Sequence, residues 1–317
     1  MKGGALYISD SSTVDIDECT FDRNTAVHLR VVEESYGGAI AQYESVVRIS
    51  SSRFVACTTS GSGNGDGGAL YGNGGTGFEI TNCLFADNKA RRDGGAIQTV
   101  YSSNTISASH FTNNTALRNG GALTGYNFKI EGSHFDSNRA EQDGGALRVS
   151  GSCVECNFTF NTALRGGAIA TFEYVEVKDS VITACSATEH GAAVFSQHKT
   201  EISDSVVQGS NGTTSAASIF HHDAQLPSAL FLNRVVFEDN EMPTVTATFD
   251  GTVVARNSPV VRENTALSNR RKLTSSPGFM DCAHESIGDF CSIMDTRVAC
   301  SDTNNGVEVI MALRDRI

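Results

Sequence analysis

The stretch "FTNNTALRNGGALTG", residues 111–125, places a Phe three residues before an Asn and follows it with a Gly-Gly-Ala-aliphatic run. "FDSNRAEQDGGALRV" (135–149) and "FTFNTALRGGAIATF" (158–172) obey the same rule with different filler. Phe-x-x-Asn recurs at Phe21/Asn24, Phe85/Asn88, Phe111/Asn114, Phe135/Asn138, Phe158/Asn161 and Phe237/Asn240. Weaker copies are Phe54/Cys57, Ile182/Cys185, Val207/Ser210 and Val261/Asn264. From Phe85 to Val207 the steps are 26, 24, 23, 24 and 25 residues. Gly-Gly-Ala starts at Gly3, Gly37, Gly67, Gly94, Gly120, Gly144 and Gly166, then degenerates at Gly191 and Ala216. Between Asn88 and Ser210 it begins five or six residues after each Asn slot. Two markers that keep step in this way define a structural repeat.

A third column lies five residues before the Phe slots from Phe21 to Phe237: Ile16, Ile49, Ile80, Ile106, Ile130, Cys153, Val177, Ile202 and Leu232. These residues sit in alternating stretches such as "TGFEITN" and "YVEVKDS", the pattern of a strand with one buried face. A unit of this length, built from short strands and tight turns, suits one coil of a parallel β-helix. Coils then stack at about 4.8 Å, with like slots above one another. Phe and Ile form apolar columns. Asn88, Asn114, Asn138 and Asn161 form an amide ladder at a turn. The Gly pair supplies φ > 0 or close backbone approach at a corner, and the Ala after it fits a tight interior. The crossovers are right-handed by the general rule. The expected fold is all-β: a right-handed single-stranded parallel β-helix, or β-solenoid, of about ten coils over residues 1–268.

Residues 25–36 and 58–66 lengthen two turns between the Asn slot and Gly-Gly. Such insertions project as loops, which are neutral or carry binding. "SNRRKLTSSPGF" breaks the repeat, giving a linker over 269–280 and a short Cys-containing segment over 281–317, with Cys282, Cys291 and Cys300.

Composition narrows the function. The net charge is −12, and the densest basic cluster is "RRK" at 270–272, so nucleic acid is not an expected partner. No apolar run is long enough for a transmembrane helix. "MKGGALYISDSS" lacks the apolar core of a signal peptide and begins beside a repeat element. The expectation is a piece of a longer polypeptide whose targeting signal lies outside it.

The GGA(I/L/V) and FxxN repeats, over about residues 3–266, resemble those of the chlamydial polymorphic outer membrane protein family and related pectin lyase-like β-helices. That resemblance implies a surface-displayed or secreted, adhesin-like protein. The chain departs from it after residue 268, where no series of amphipathic barrel strands follows.

The candidate chemistry centres on the residues before Gly-Gly: Asp66, Asp93, Asn119 and Asp143, with Arg92 and Arg118 beside them and Arg165 one coil on. The row resembles pectate lyase-type sites, which implies Asp-bound Ca²⁺ and a basic Arg. The competing reading is that Asp and Asn favour such turns while Arg screens their charge. Cys19, Cys83 and Cys156 share a slot otherwise held by Ser; Cys153 takes an Ile slot, and Cys57 and Cys185 take Asn slots. All six read as small buried thiols, Cys153-x-x-Cys156 included. His110 and His134 occupy one slot on adjacent coils, expected at an outward turn. In His221-His222-Asp223 successive side chains on a strand diverge. Asn113, Asn157 and Asn211 head glycosylation sequons. The expected function is a non-enzymatic extracellular or cell-surface scaffold binding a glycan or protein ligand, without a cofactor. The alternatives are a Ca-dependent polysaccharide lyase or hydrolase and a structural spacer within a larger protein.

Overall fold

The computed structural model describes residues 3–28, 35–61, 65–75, 77–212, 218–222 and 229–240. It also gives the strand backbones of 245–248, 252–256, 260–262, 298–303 and 306–312. The chain winds into a parallel β-helix. The coil that starts at Gly120 shows the path. Gly120-Gly121-Ala122 leads into the strand Leu123–Glu131 of a long sheet, a corner at Gly132 leads into His134–Asp136, and a corner at Ser137 leads into Arg139–Ala140. The chain then returns to Gly144, where the next coil begins.

Three sheets result. The long sheet carries two strand segments per coil, which merge into one strand in Leu123–Glu131, Leu147–Val154 and Ile169–Lys178. The second sheet has ten strands, from Thr20–Asp22 to Val260–Arg262, one for each Phe-slot copy. The third has eight, from Thr25–His28 to Asn211–Gly212. Pairing along the stack is parallel, while Val298–Thr303 and Gly306–Ala312 form an antiparallel hairpin whose second strand pairs with Thr252–Arg256. The ends of both insertions meet as a small parallel ladder, Ser35–Tyr36 with Gly65–Asp66. Their tips, the 269–280 linker, Cys282, Cys291 and the Cys300 side chain lie outside the described residues.

Register keeps the columns intact. Phe21, Phe54, Phe85, Phe111, Phe135 and Phe158 stack with ring centroids 4.7–5.0 Å apart and planes within 9°. The Ile column and the Ala of Gly-Gly-Ala complete one continuous interior. The two glycines answer different constraints. The first lies at φ between 58° and 70° in every copy from Gly3 to Gly191, a region that disfavours side chains. The second is a close approach: a Cβ on Gly95 would lie 1.9 Å from the Gly121 carbonyl oxygen, and one on Gly121 would lie 2.0 Å from that of Gly145.

The remaining corners place other residues at positive φ. One set follows the long sheet, as at Asn82, Ala108 and Glu155; another precedes the Asn slot, as at Asp87, Asn113 and Phe160. Inter-coil hydrogen bonds hold them; the Asn113 amide donates to the Asp136 carbonyl at 3.0 Å.

Asn88, Asn114, Asn138 and Asn161 are fully buried. Asn114 Oδ1 accepts from the Asn88 amide and side chain at 3.1 and 2.9 Å. Asn114 Nδ2 donates to the Phe85 carbonyl at 3.0 Å and to Asn138 Oδ1 at 2.9 Å. Asn138 and Asn161 repeat the arrangement. A second polar column stands two residues before the Phe slot. Ser109 Oγ accepts from the Cys83 amide and donates to the Ser107 carbonyl, and Ser133, Ser180 and Ser205 do the same on their coils. Cys19, Cys83 and Cys156 mimic the donor half of this pattern, with Sγ 3.1–3.4 Å from the carbonyl two residues back.

Gly121→Ala should destabilise the fold by about 3 kcal/mol, because the clash is with backbone. Gly132→Ala, where a Cβ meets nothing within 4 Å, should cost about 1 kcal/mol through its φ of 54° alone. Urea unfolding of the two variants tests the difference. Asn114→Leu leaves the Asn88 and Phe85 backbone groups unpaired and should cost about 1–3 kcal/mol; unchanged melting would count against the ladder.

Candidate functional site

The residue before each Gly-Gly lies where the third sheet hands the chain back to the long sheet. In three copies its side chain packs against a ring on the long-sheet strand one coil on. Tyr36 stacks on Tyr71 at 4.1 Å, His190 on Phe220 at 4.2 Å, and Arg165 lies 5.0 Å from the Phe195 ring centroid. Ala170, Phe195 and Phe220 form a small buried cluster here, separate from the interior. The corner is therefore a filled seam. Asp66, Asp93 and Asp143 belong to it, at 2%, 5% and 6% exposure.

Each of these carboxylates is held by a guanidinium from the next coil. Arg92 grips both oxygens of Asp66, and Arg118 both oxygens of Asp93. Arg165 takes Asp143 at 2.7 and 3.0 Å. Asn119 interrupts the acids: its Nδ2 donates to Asp93 Oδ1 at 3.0 Å, and its Oδ1 accepts from the Asp143 amide at 3.3 Å. Such bidentate pairs satisfy charge and hydrogen bonding together. Burial pushes the Asp66 carboxyl above its ordinary pKa, against the pull of Arg92. The hydrogen bond to Asp93 pushes the Arg118 guanidinium upward, away from the deprotonated form a base requires. A Ca²⁺ ion on this row would have to displace Arg92, Arg118 and Arg165 from carboxylates they already bind. Among the described residues, no three His, Cys, Asp or Glu side chains converge as a metal-binding group.

A different feature stands on the outer face of the long sheet. Between its two strand segments the coils differ in length. Two residues separate Gly125 from Phe128, one separates Val149 from Gly151, and three separate Thr171 from Val175 in the matched register. The longer coils bulge outward on either side of the short one. Tyr126 and Phe172 meet across it edge to face at 4.8 Å, and Arg148 of the short coil lies 4.5 Å from the Phe172 centroid. Lys199 Nζ lies 5.0 Å from the Tyr174 ring and 5.5 Å from that of Phe231. Tyr174 donates its hydroxyl to Glu201 at 3.3 Å. Burial and the nearby Glu201 and Glu176 charges push Tyr174 up to about 12, so it remains a donor at neutral pH. Tyr101 projects from the preceding bulge, 81% exposed, while Tyr126 and Tyr174 are 37% and 40% exposed. The sequence signal that could have found this ridge is the changing interval between the Gly-Gly-Ala run and the Ile slot. That interval is seven residues from Leu123 to Ile130, six from Leu147 to Cys153 and eight from Ile169 to Val177.

Asn113, Asn157 and Asn211 are all exposed. His110 and His134 stack at 4.7 Å on the outer face of the second sheet, in strands rather than at a turn. Burial, then the His134 charge, lowers the His110 pKa. His221 is buried, its Nδ1 2.9 Å from Ser196 Oγ; the His222 side chain and Asp223 lie outside the described residues.

Residues 2–172 match the family model described as the right handed beta helix region, more than half of the 317 residues. The chain belongs to that right-handed β-helix family. No curated protein and no solved structure matches it. Among the described residues, no helix is long and apolar enough to cross a membrane.

Arg92→Met leaves the Asp66 carboxylate buried without its partner. With the guanidinium about a quarter exposed, the expected loss is about 2–3 kcal/mol, below that of a fully buried pair. Adding Asp66→Asn should recover much of it, and a double-mutant cycle in urea measures the coupling.

Proposed function

We propose that the protein is a non-enzymatic β-helix scaffold, surface-displayed or secreted, that binds a glycan along the outer face of its long sheet. The observation that carries this reading is the aromatic ridge of Tyr101, Tyr126, Phe172, Tyr174 and Phe231. The exposed rings of Tyr101, Tyr126 and Tyr174 offer flat apolar faces on which the C–H face of a sugar ring can lie. Lys199, Glu201 and the Tyr174 hydroxyl supply polar partners beside them. Coils repeat at about 4.8 Å, close to the length of one sugar unit, so an extended chain can meet successive rings. The acidic row supports the same reading from the other side, because its groups are occupied by one another. The resemblance of the repeats to chlamydial polymorphic outer membrane proteins supports display at a cell surface, with Asn113, Asn157 and Asn211 as glycosylation candidates in a eukaryotic secretory route.

The test is retention of the full chain by pectic, alginate and neutral polysaccharides, with Ca²⁺ or with EDTA, each reaction also assayed for new chain ends. Retention without cleavage is expected. Tyr126→Ala and Tyr174→Ala should each weaken it about fivefold, from roughly 1 kcal/mol per ring contact. Cleavage that EDTA abolishes would overturn the proposal and make Asp66, Asp93 and Asp143 a metal site. Retention that ignores both variants would move the ligand off the ridge. Silence throughout would favour a protein ligand or a spacer.

A further inference from the structure

Cys153 and Cys156 flank the corner at Glu155, whose φ of 54° turns the chain from Leu147–Val154 into Asn157–Thr159. Both side chains are buried, 2% and 1% exposed, with their Sγ atoms 3.1 Å apart. The neighbouring coils show what is particular to this one. Cys153 stands between Ile130 and Val177 in the inward column. Cys156 occupies the Ser slot, its amide donating to Ser180 Oγ at 3.1 Å. Cys19 and Cys83 fill that same slot, but the residue three positions earlier is Ile16 or Ile80, so neither meets a sulfur within its own coil. Replacing an interior Ile by Cys sacrifices apolar volume. Here the loss places a second thiol against the first.

We propose that Cys153 and Cys156 are a modification site: a dithiol that closes to a disulfide across the Glu155 corner by exchange with a small-molecule disulfide such as glutathione disulfide. The Cys156 thiolate attacks one sulfur of the oxidant and expels one glutathione thiolate, which takes up a proton. Cys153 then loses its proton, attacks the Cys156 sulfur of the mixed disulfide and expels the second glutathione. Two protein S–H bonds are lost, one S–S bond forms and glutathione disulfide is reduced to two thiols. The order follows from the site. The Cys153 S–H points at Cys156 Sγ across the corner, and this hydrogen bond lowers the Cys156 pKa. Because the partners are three residues apart, the pair can close before its coil is covered by the next. Once covered, it is sealed from large reagents.

The full chain is refolded in glutathione buffers from reducing to oxidising, quenched in acid, alkylated with N-ethylmaleimide under denaturing conditions and digested. In the oxidising buffers the peptide holding Cys153 and Cys156 is expected to carry no alkyl group and to be two hydrogens lighter. In native buffer that link should resist reduced glutathione at least tenfold longer than in urea. Cys153→Ile, which restores the side chain of the coil below, should fold and leave Cys156 alkylated in every buffer. Alkylation of both cysteines after full oxidation would overturn the proposal. So would glutathione retained on either residue in place of the link, or pairing of either with another cysteine.

Discussion

Hydrogen bonding of one coil to the next at the inter-strand distance is the constraint on which the rest of the structure depends. It sets every slot directly above its counterpart, so each position is judged by how well it tolerates copies of itself at about 4.8 Å. Phe tolerates this by stacking with nearly parallel rings, and Ile by dispersion. The second glycine of each pair has a more severe version of the same problem. A carbonyl oxygen of the next coil lies where its Cβ would be, as between Gly95 and Gly121. The repeat that is loudest in the sequence is therefore the one enforced by backbone contact.

Polar groups inside such a stack cannot be satisfied one at a time. An Asn amide has both donors and an acceptor, so a column of Asn residues satisfies itself and the turn carbonyls as well. Asn114 does this with Asn88, Phe85 and Asn138. Serine solves the same problem at the other corner with one hydroxyl, which explains why cysteine substitutes there at Cys19, Cys83 and Cys156. A column of Asp has no such self-complementarity. Like charges at coil spacing repel, and the chain supplies an arginine for each carboxylate and an asparagine between two of them. The row that looks most chemical in the sequence is thereby the most thoroughly neutralised in the fold.

Function is then left to what the stack does not constrain. Outward residues between the two strand segments of the long sheet are free in number as well as identity. Coils that differ there by one or two residues bulge to different heights. Tyr126 and Phe172 meet because the coil between them is short, and Arg148 settles against Phe172 for the same reason, while Lys199 meets Tyr174 across two coils of equal length. A regular solenoid with local irregularity on one face is a rigid platform with a shaped surface.

The sequence by itself determined the coil, its period, the inward columns and the parallel class of the fold. All of these follow from a one-dimensional repeat in which contacts are to the same slot one period away. It also marked the Asn column, since an Asn kept beside a buried Phe at fixed spacing has few other uses. Only the tertiary structure decided the partners of residues that do not repeat. Arg92 hydrogen-bonds Asp66 and approaches its own neighbour Asp93 only at 3.9 Å, because the close pairing runs between coils. Phe160 and Glu155 sit at positive φ without any glycine to announce them, since inter-coil hydrogen bonds hold what local preference would refuse. The aromatic ridge and the facing sulfurs of Cys153 and Cys156 were hidden for a shared reason. Each depends on how far a side chain reaches across a bulge or a corner, and residue spacing alone does not encode that distance.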